Sequence, residues 1–170
     1  MLFEDEASFW LDGTLHQTWA RIGQQPRVDT YGQRKTAHVF GAVNLETADF
    51  HYRFATVFNG ATFFEFLRQL VASYRGRKVF LVIDNAPAHW LDDAGKDWLK
   101  ANGDLIELHR LPGYSPEFMP VEGIWKLTRK LATHNRFYAC VEERDTALRR
   151  AFRKFQRRRE LIEPQVARFR

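Results

Sequence analysis

The chain has 170 residues, a formal net charge of +5, 45% hydrophobic and 15% aromatic residues, which suits one globular domain with its own core and excludes a disordered chain. Its one cysteine, Cys140, excludes an internal disulfide and points to a reducing compartment. No apolar run approaches the roughly 20 residues of a membrane span, and the start lacks the basic and apolar regions of a secretory signal, so the expected location is the cytoplasm.

The first stretch, MLFEDEASFW, reads as a strand over Leu2 to Trp10, yet carries three consecutive acids, Glu4-Asp5-Glu6. Asp12-Gly13 predicts a turn with a return near Thr18-Trp19, and the polar Gln24 to Lys35 predicts a loop. His38 to Asn44 and Phe50 to Thr56 are strand-like and joined by Glu46-Thr-Ala-Asp49, a hairpin pattern. Asn59 predicts an N-cap, followed by Phe63, Phe64, Leu67, Leu70, Val71 and Tyr74 at helical spacing, with Arg75-Gly76 ending the helix. Val79 to Ile83 is a short apolar run, the pattern of a strand covered on both faces. A helix is predicted from Asp92 to Asn102, a strand from Leu105 to Leu111, and a loop around Pro112, Gly113 and Pro116. Helices are predicted from Pro120 to Asn135, with Val121, Ile124, Trp125 and Leu131 as its buried stripe, and from about Val141 to Glu163. Trp90 and Trp98 are expected in the core. Three strands first, then strands alternating with helices, predict an α/β fold with a mixed sheet, antiparallel then parallel, flanked by helices.

Charge is uneven along the chain. Residues 126–170 hold 14 Lys or Arg against 5 Asp or Glu, net +9, which leaves −4 for the first 125 residues. A basic C-terminal third on an acidic body suits a polyanionic partner, nucleic acid being the common one; the alternative is a solvated basic helix. Arg149, Arg150, Arg153, Lys154, Arg157 and Arg158 recur at helical spacing with Leu148, Ala151, Phe152 and Phe155 between them, a cationic face opposite an apolar seam. Phosphate contacts without base readout are expected there.

Asp84 ends the apolar strand, where ligands bind in sheets with strand-to-helix crossovers; a turn-forming Asp-Asn pair is the alternative. Glu122 follows Pro120 in the first turn of a helix, where a carboxylate also favours the helix dipole. Two carboxylates about 4 Å apart repel by roughly 4 kcal/mol at an effective dielectric near 20, so a fold that gathers such charges needs a cation among them. With oxygen ligands and no Cys or His cluster at zinc spacing, Mg²⁺ or Mn²⁺ is the expected ion.

FEDEASF, VIDNAPAH and YSPEFMPVEGIWKLTRK, in that order, resemble the three blocks of a DDE-type transposase of the mariner-like superfamily, and within it the bacterial insertion-sequence six-thirty family. GQQPRV, the GQRK at 32–35, the VFGAV at 39–43 and the THN at 133–135 are similar to that family as well. The resemblance implies an RNase H-like fold and metal-dependent DNA cleavage and strand transfer, that is, DNA transposition, integration and recombination. It places the catalytic and metal-binding acids at Asp5, Asp84 and Glu122, with 37 residues between the second and third, and implies a pair of Mg²⁺ or Mn²⁺ ions held by them. Glu6, Asn85 and His89 are candidate supporting groups behind those acids, His89 being either structural, phosphate-contacting or near the leaving group. Strand alternation turns Glu4 and Glu6 away from Asp5, toward an edge, solvent or a supporting position.

The family usually has Leu-Asn-Pro before its third acid, where this chain has Phe118-Met119-Pro120. Members generally carry a helix-turn-helix DNA-binding part upstream; this chain begins inside the first catalytic strand, so the expectation is a single catalytic domain over residues 1–170, with a basic helical region from about 137 to 170 and no upstream module. DNA, as element ends and target, is the implied partner, met by Lys126, Arg129 and Lys130 as well as the six basic residues above, with a homodimer on DNA and nucleoid association when bound. The other readings are a catalytically silent DNA-binding remnant of an insertion element and another RNase H-like nuclease.

Overall fold

The computed structural model describes residues 1–32, 35–113 and 118–170; within the sequence blocks above, Gln33, Arg34 and Tyr114 to Glu117 lie outside the described residues. Five strands form one sheet: β1 (Leu2–Trp10), β2 (Thr36–Asn44), β3 (Phe50–Ala55), β4 (Val79–Ile83) and β5 (Ile106–Arg110), in the order β3-β2-β1-β4-β5. The first three pair antiparallel and the last two join them parallel. The helices are α1 (Gly60–Ser73), α2 (Asp93–Ala101), α3 (Val121–Thr128), α4 (Val141–Arg157) and the short α5 (Glu163–Val166). No helix among the described residues is long and apolar enough to cross a membrane.

Alternation along β1 divides the core. Phe3, Ala7 and Phe9 face α3, α4 and α5, packing with Val121, Ile124, Trp125, Phe152 and Phe155. Leu2 faces the other side, with Phe40, Leu81, Ile83 and the buried stripe Phe63, Phe66, Leu67 and Leu70 of α1. A capping box starts α1: the Asn59 side chain accepts from Thr62 N–H, and the Asn59 N–H donates to Thr62 Oγ1. Apolar residues at i, i+3, i+4 and i+7 (Leu148, Ala151, Phe152, Phe155) press α4 on the sheet, each large side chain contributing about 1.5–3 kcal/mol. The buried Arg144 ties the start of α4 down by donating to the carbonyls of Phe9 and Lys35.

Some expectations are corrected. The partner that returns beside β1 is β2, through nine residue pairs from Leu2↔Asn44 to Trp10↔Thr36, and Thr18-Trp19 lies in irregular chain. β4 is not covered on both faces along its length, because Phe80 is 41% exposed. The long C-terminal helix stops at Arg157 and gives way to a 3-10 turn over Arg159–Leu161. The helix beginning at Pro120 changes after Thr128 into a π turn, Arg129–Thr133. Trp98 packs against the core on the α1 side, but Trp90 is 69% exposed.

Candidate active site

Asp5 lies mid-strand on β1, the central strand of the sheet, opposite Gly41. Leu2 pairs with Leu81 and Phe3 with Val82 across the parallel β1–β4 pair. Carried on by two residues, that register sets Asp5 beside Asp84, one step past the end of β4. The short apolar run of β4 and the acid-bearing β1 therefore bring two sequence-distant carboxylates abreast.

Each acid is held differently. Asp5 Oδ1 accepts from the Glu6 backbone N–H at 2.9 Å and Oδ2 from the Trp125 indole N–H at 3.1 Å. Burial raises the Asp5 carboxyl to about 6; the two hydrogen bonds oppose that rise, and the charges of Asp84 and Glu122 add to it. Asp84 Oδ1 accepts from the Ala86 N–H at 2.7 Å, and its side chain is 46% exposed. Glu122 sits in the first turn of α3, with Lys126 Nζ 3.4 Å from its Oε2. Its charge is felt at Asp5, but the groups with one ligand atom from each member within 4.8 Å of the others are, among the described residues, Asp5, Glu6 and Asp84, and Glu4, Glu6 and His89.

Of the three positions expected for Glu4 and Glu6 (edge, solvent or supporting), the structure shows the third, with both acids against His89. The face of β1 that bears them is covered at Glu4, where His89 packs between that acid and Phe63 of α1, and opens to solvent at Ser8 and Trp10. Glu4 is fully buried, and its oxygen Oε2 lies 2.8 Å from His89 Nε2, while Glu6 Oε1 lies 3.3 Å from the same nitrogen. The contact between Glu4 and His89 lacks the alignment of a hydrogen bond. His89 Nδ1 is 3.1 Å from Asp84 Oδ1 and 3.2 Å from the Asp84 carbonyl oxygen. Both are acceptors, so Nδ1 carries the hydrogen. Burial, with Asp5 and Asp84 nearby, raises the Glu4 carboxyl well above its ordinary value. Burial and the Glu4 charge push Glu6 up to about 8, against the pull of His89. The buried Glu4 carries no pattern in the sequence that separates it from a solvated strand acid; its neighbour His89, five residues past Asp84, was the available signal. Asn85 donates to the Leu111 carbonyl at 2.8 Å, tying the end of β4 to the end of β5.

The donor set fits a hard divalent cation. Asp5, Glu6 and Asp84 offer only oxygen, and burial with mutual repulsion raises the carboxyls of Asp5 and Glu6, a burden that a cation relieves.

The basic residues fall into three places. Arg149, Arg150, Arg153, Lys154, Arg157 and Arg158 are all exposed and, with Thr146, line a shallow groove of about 600 Å³ along α4. Lys126 and Lys130 line a second groove of about 880 Å³ with residues of the β1–β2 connection, among them His16 and the fully exposed Trp19. Arg129 is apart from both. It is half-buried in the π turn, close enough to Asp5 and Glu122 for their charges to raise its guanidinium against the lowering effect of burial.

A protein-family model described as DDE superfamily endonuclease matches residues 1–144. A Shigella sonnei protein, the insertion element IS630 uncharacterized 39 kDa protein, is 30% identical over 136 residues, covering 79% of this chain and 39% of that protein. Among solved structures, a chain of the Mos1 strand transfer complex superposes with a TM-score of 0.68 at 18% identity, over 99% of this chain and 51% of that one. A chain of the Mos1 mariner paired end complex with Mn gives 0.69 at 17% identity, over 99% and 52%. The shared fold is the RNase H-like mixed sheet with flanking helices. The chain spans about two fifths of the insertion-element protein and about half of the Mos1 chains.

Proposed function

Because the chain belongs to the DDE superfamily of endonucleases, we propose that it is the catalytic part of an insertion-element transposase, which hydrolyses DNA phosphodiesters at the element's ends and transfers the freed 3′ ends to target DNA. The observation that carries this reading is the parallel β1–β4 register, which sets Asp5 beside Asp84 with the charge of Glu122 close by on α3. Asp5, Asp84 and Glu122 would hold a pair of divalent ions, Mg²⁺ or Mn²⁺, with Glu6 close enough to share in it. Such ions, when bound, supply a nucleophilic water at neutral pH and relief of charge on the leaving oxygen.

The rest falls to the chain's own side chains. His89, wedged between Glu4 and Asp84, orients the Asp84 carboxylate from behind. Arg129, beside the acids, offers a positive charge to the phosphodiester that enters there. The exposed cations of α4 hold DNA by its phosphates and carry no base readout. A paired arrangement of two copies on two DNA ends belongs to the same proposal, as the relatives solved as strand-transfer and paired-end complexes suggest.

The test is nicking of supercoiled plasmid in Mn²⁺ by the chain and by Asp84→Asn. The reading expects nicking by the first and none by the second. Equal nicking by both would overturn the assignment.

A further inference from the structure

Trp125 is 3% exposed and packs edge-on against Phe9, Phe50 and Phe152, with ring centroids 6.0, 5.9 and 6.2 Å away. Rings on several sides fix the plane of the indole, and with it the direction of its N–H. A buried indole needs one acceptor, and here that acceptor is Asp5 Oδ2. The route to it passes over Gly41, the residue paired with Asp5 on β2. A Cβ on Gly41 would stand 2.3 Å from Trp125 Cη2 and 2.6 Å from Cζ2. Position 41 therefore lacks a side chain where the ring crosses, and the ring lies against the backbone directly opposite the acid.

Trp125 also lies three residues beyond Glu122, on the same side of α3. One rigid side chain thus spans from the helix that bears Glu122 to the strand that bears Asp5. We infer that Trp125 is a positioning residue for the acid site: its N–H and the Glu6 backbone N–H each occupy one lone pair of the Asp5 carboxylate, and its ring, seated over Gly41, sets the separation of Glu122 from Asp5. One lone pair on each Asp5 oxygen then stays available to a cation. A carboxylate fixed in this way loses less freedom when it ligates, as partners behind metal ligands generally achieve. The inference rests on the proposed metal-binding role of Asp5.

The test measures Mn²⁺ binding to the chain by calorimetry, alongside thermal unfolding without metal. The variants are Trp125→Phe, a Trp125 replacement by 3-benzothienyl-alanine that keeps the shape and lacks the N–H, and Asp5→Asn as reference. The expected result is a Kd for Mn²⁺ weakened by about 10–100-fold in both Trp125 variants, loss of binding in Asp5→Asn, and an unfolding temperature lowered by no more than about 2–4 °C, the effect of one lost hydrogen bond, for the benzothienyl variant. A merely structural tryptophan would lower the unfolding temperature in Trp125→Phe and leave the Kd of both folded variants at the parent's value. That outcome, with binding lost in Asp5→Asn, overturns the inference and leaves the proposed function standing. Binding by Asp5→Asn equal to the parent's overturns both.

Discussion

Replacing Asp5 by Asn should make the metal-free protein more stable at neutral pH. The Asp5 carboxyl titrates at about 6 in the fold against 3.8 for the ordinary side chain, chiefly through burial. A folded-state value above the unfolded one means that the native chain binds the proton more tightly. Stability therefore falls as pH rises from about 3.8 to 6, and the full penalty, about 3 kcal/mol, stands above that window. The Asn side chain removes the charge and the penalty. It has one acceptor oxygen for two donors, the N–H groups of Glu6 and Trp125, so one hydrogen bond is lost at about 1 kcal/mol. The net gain expected for Asp5→Asn is about 1–2 kcal/mol at pH 7.5, vanishing or reversing near pH 4. Urea unfolding in chelator at the two pH values measures it. Mg²⁺ should then raise the stability of the parent and leave the variant unmoved. A variant that is no more stable than the parent at pH 7.5, with the same difference at pH 4, would refute the reasoning.

Glu122→Gln should change stability by less than about 1 kcal/mol, because the exposed Lys126 pair and the charge at the helix start are each worth a few tenths and their loss is offset by relief of repulsion at Asp5, while Mn²⁺-dependent nicking falls by more than about 100-fold; matched nicking rates for parent and variant would remove Glu122 from the site. Arg153→Ala combined with Arg157→Ala should lower the slope of log affinity against log salt by about 2 for duplex DNA, read by fluorescence anisotropy, and an unchanged slope would place the DNA elsewhere. Phe152→Ala should destabilise by about 3–5 kcal/mol, because its ring meets Phe9, Phe50, Tyr52, Phe54 and Trp125 in the core; urea unfolding checks this, and a loss below about 1 kcal/mol would contradict that packing.

The strand that bears Asp5 and the one that ends beside Asp84 were legible because each is a short run rich in apolar and strand-favouring residues bounded by turn signals, and β1 and β4 appear with the predicted bounds. The resemblance to a known family supplied what pattern alone leaves open, namely which acid of Glu4-Asp5-Glu6 faces α3. The misplaced return near Thr18-Trp19 followed a turn signal at Asp12-Gly13, whereas β1 pairs with the apolar 36–44 segment, which offers it a buried partner along nine residues. Whether a given stretch of a strand's face is covered depends on what packs over it in space, so the burial of Glu4 against His89 could not be read from alternation. The end of α4 was missed for a related reason. Ile162 and Val166 are buried in the core shared with α3, and the chain turns back after Arg157 to place them there. Trp125 was legible as an anchor of α3; its bond to Asp5 required the register that sets Gly41 opposite the acid.

The most direct test of the shared acid site is anomalous diffraction from crystals soaked in Mn²⁺. The account predicts a peak within about 2.0–2.6 Å of carboxylate oxygens of both Asp5 and Asp84, absent from crystals of Asp84→Asn. A peak held by Glu4, Glu6 and His89 alone, or no peak at Asp5 and Asp84, would contradict it.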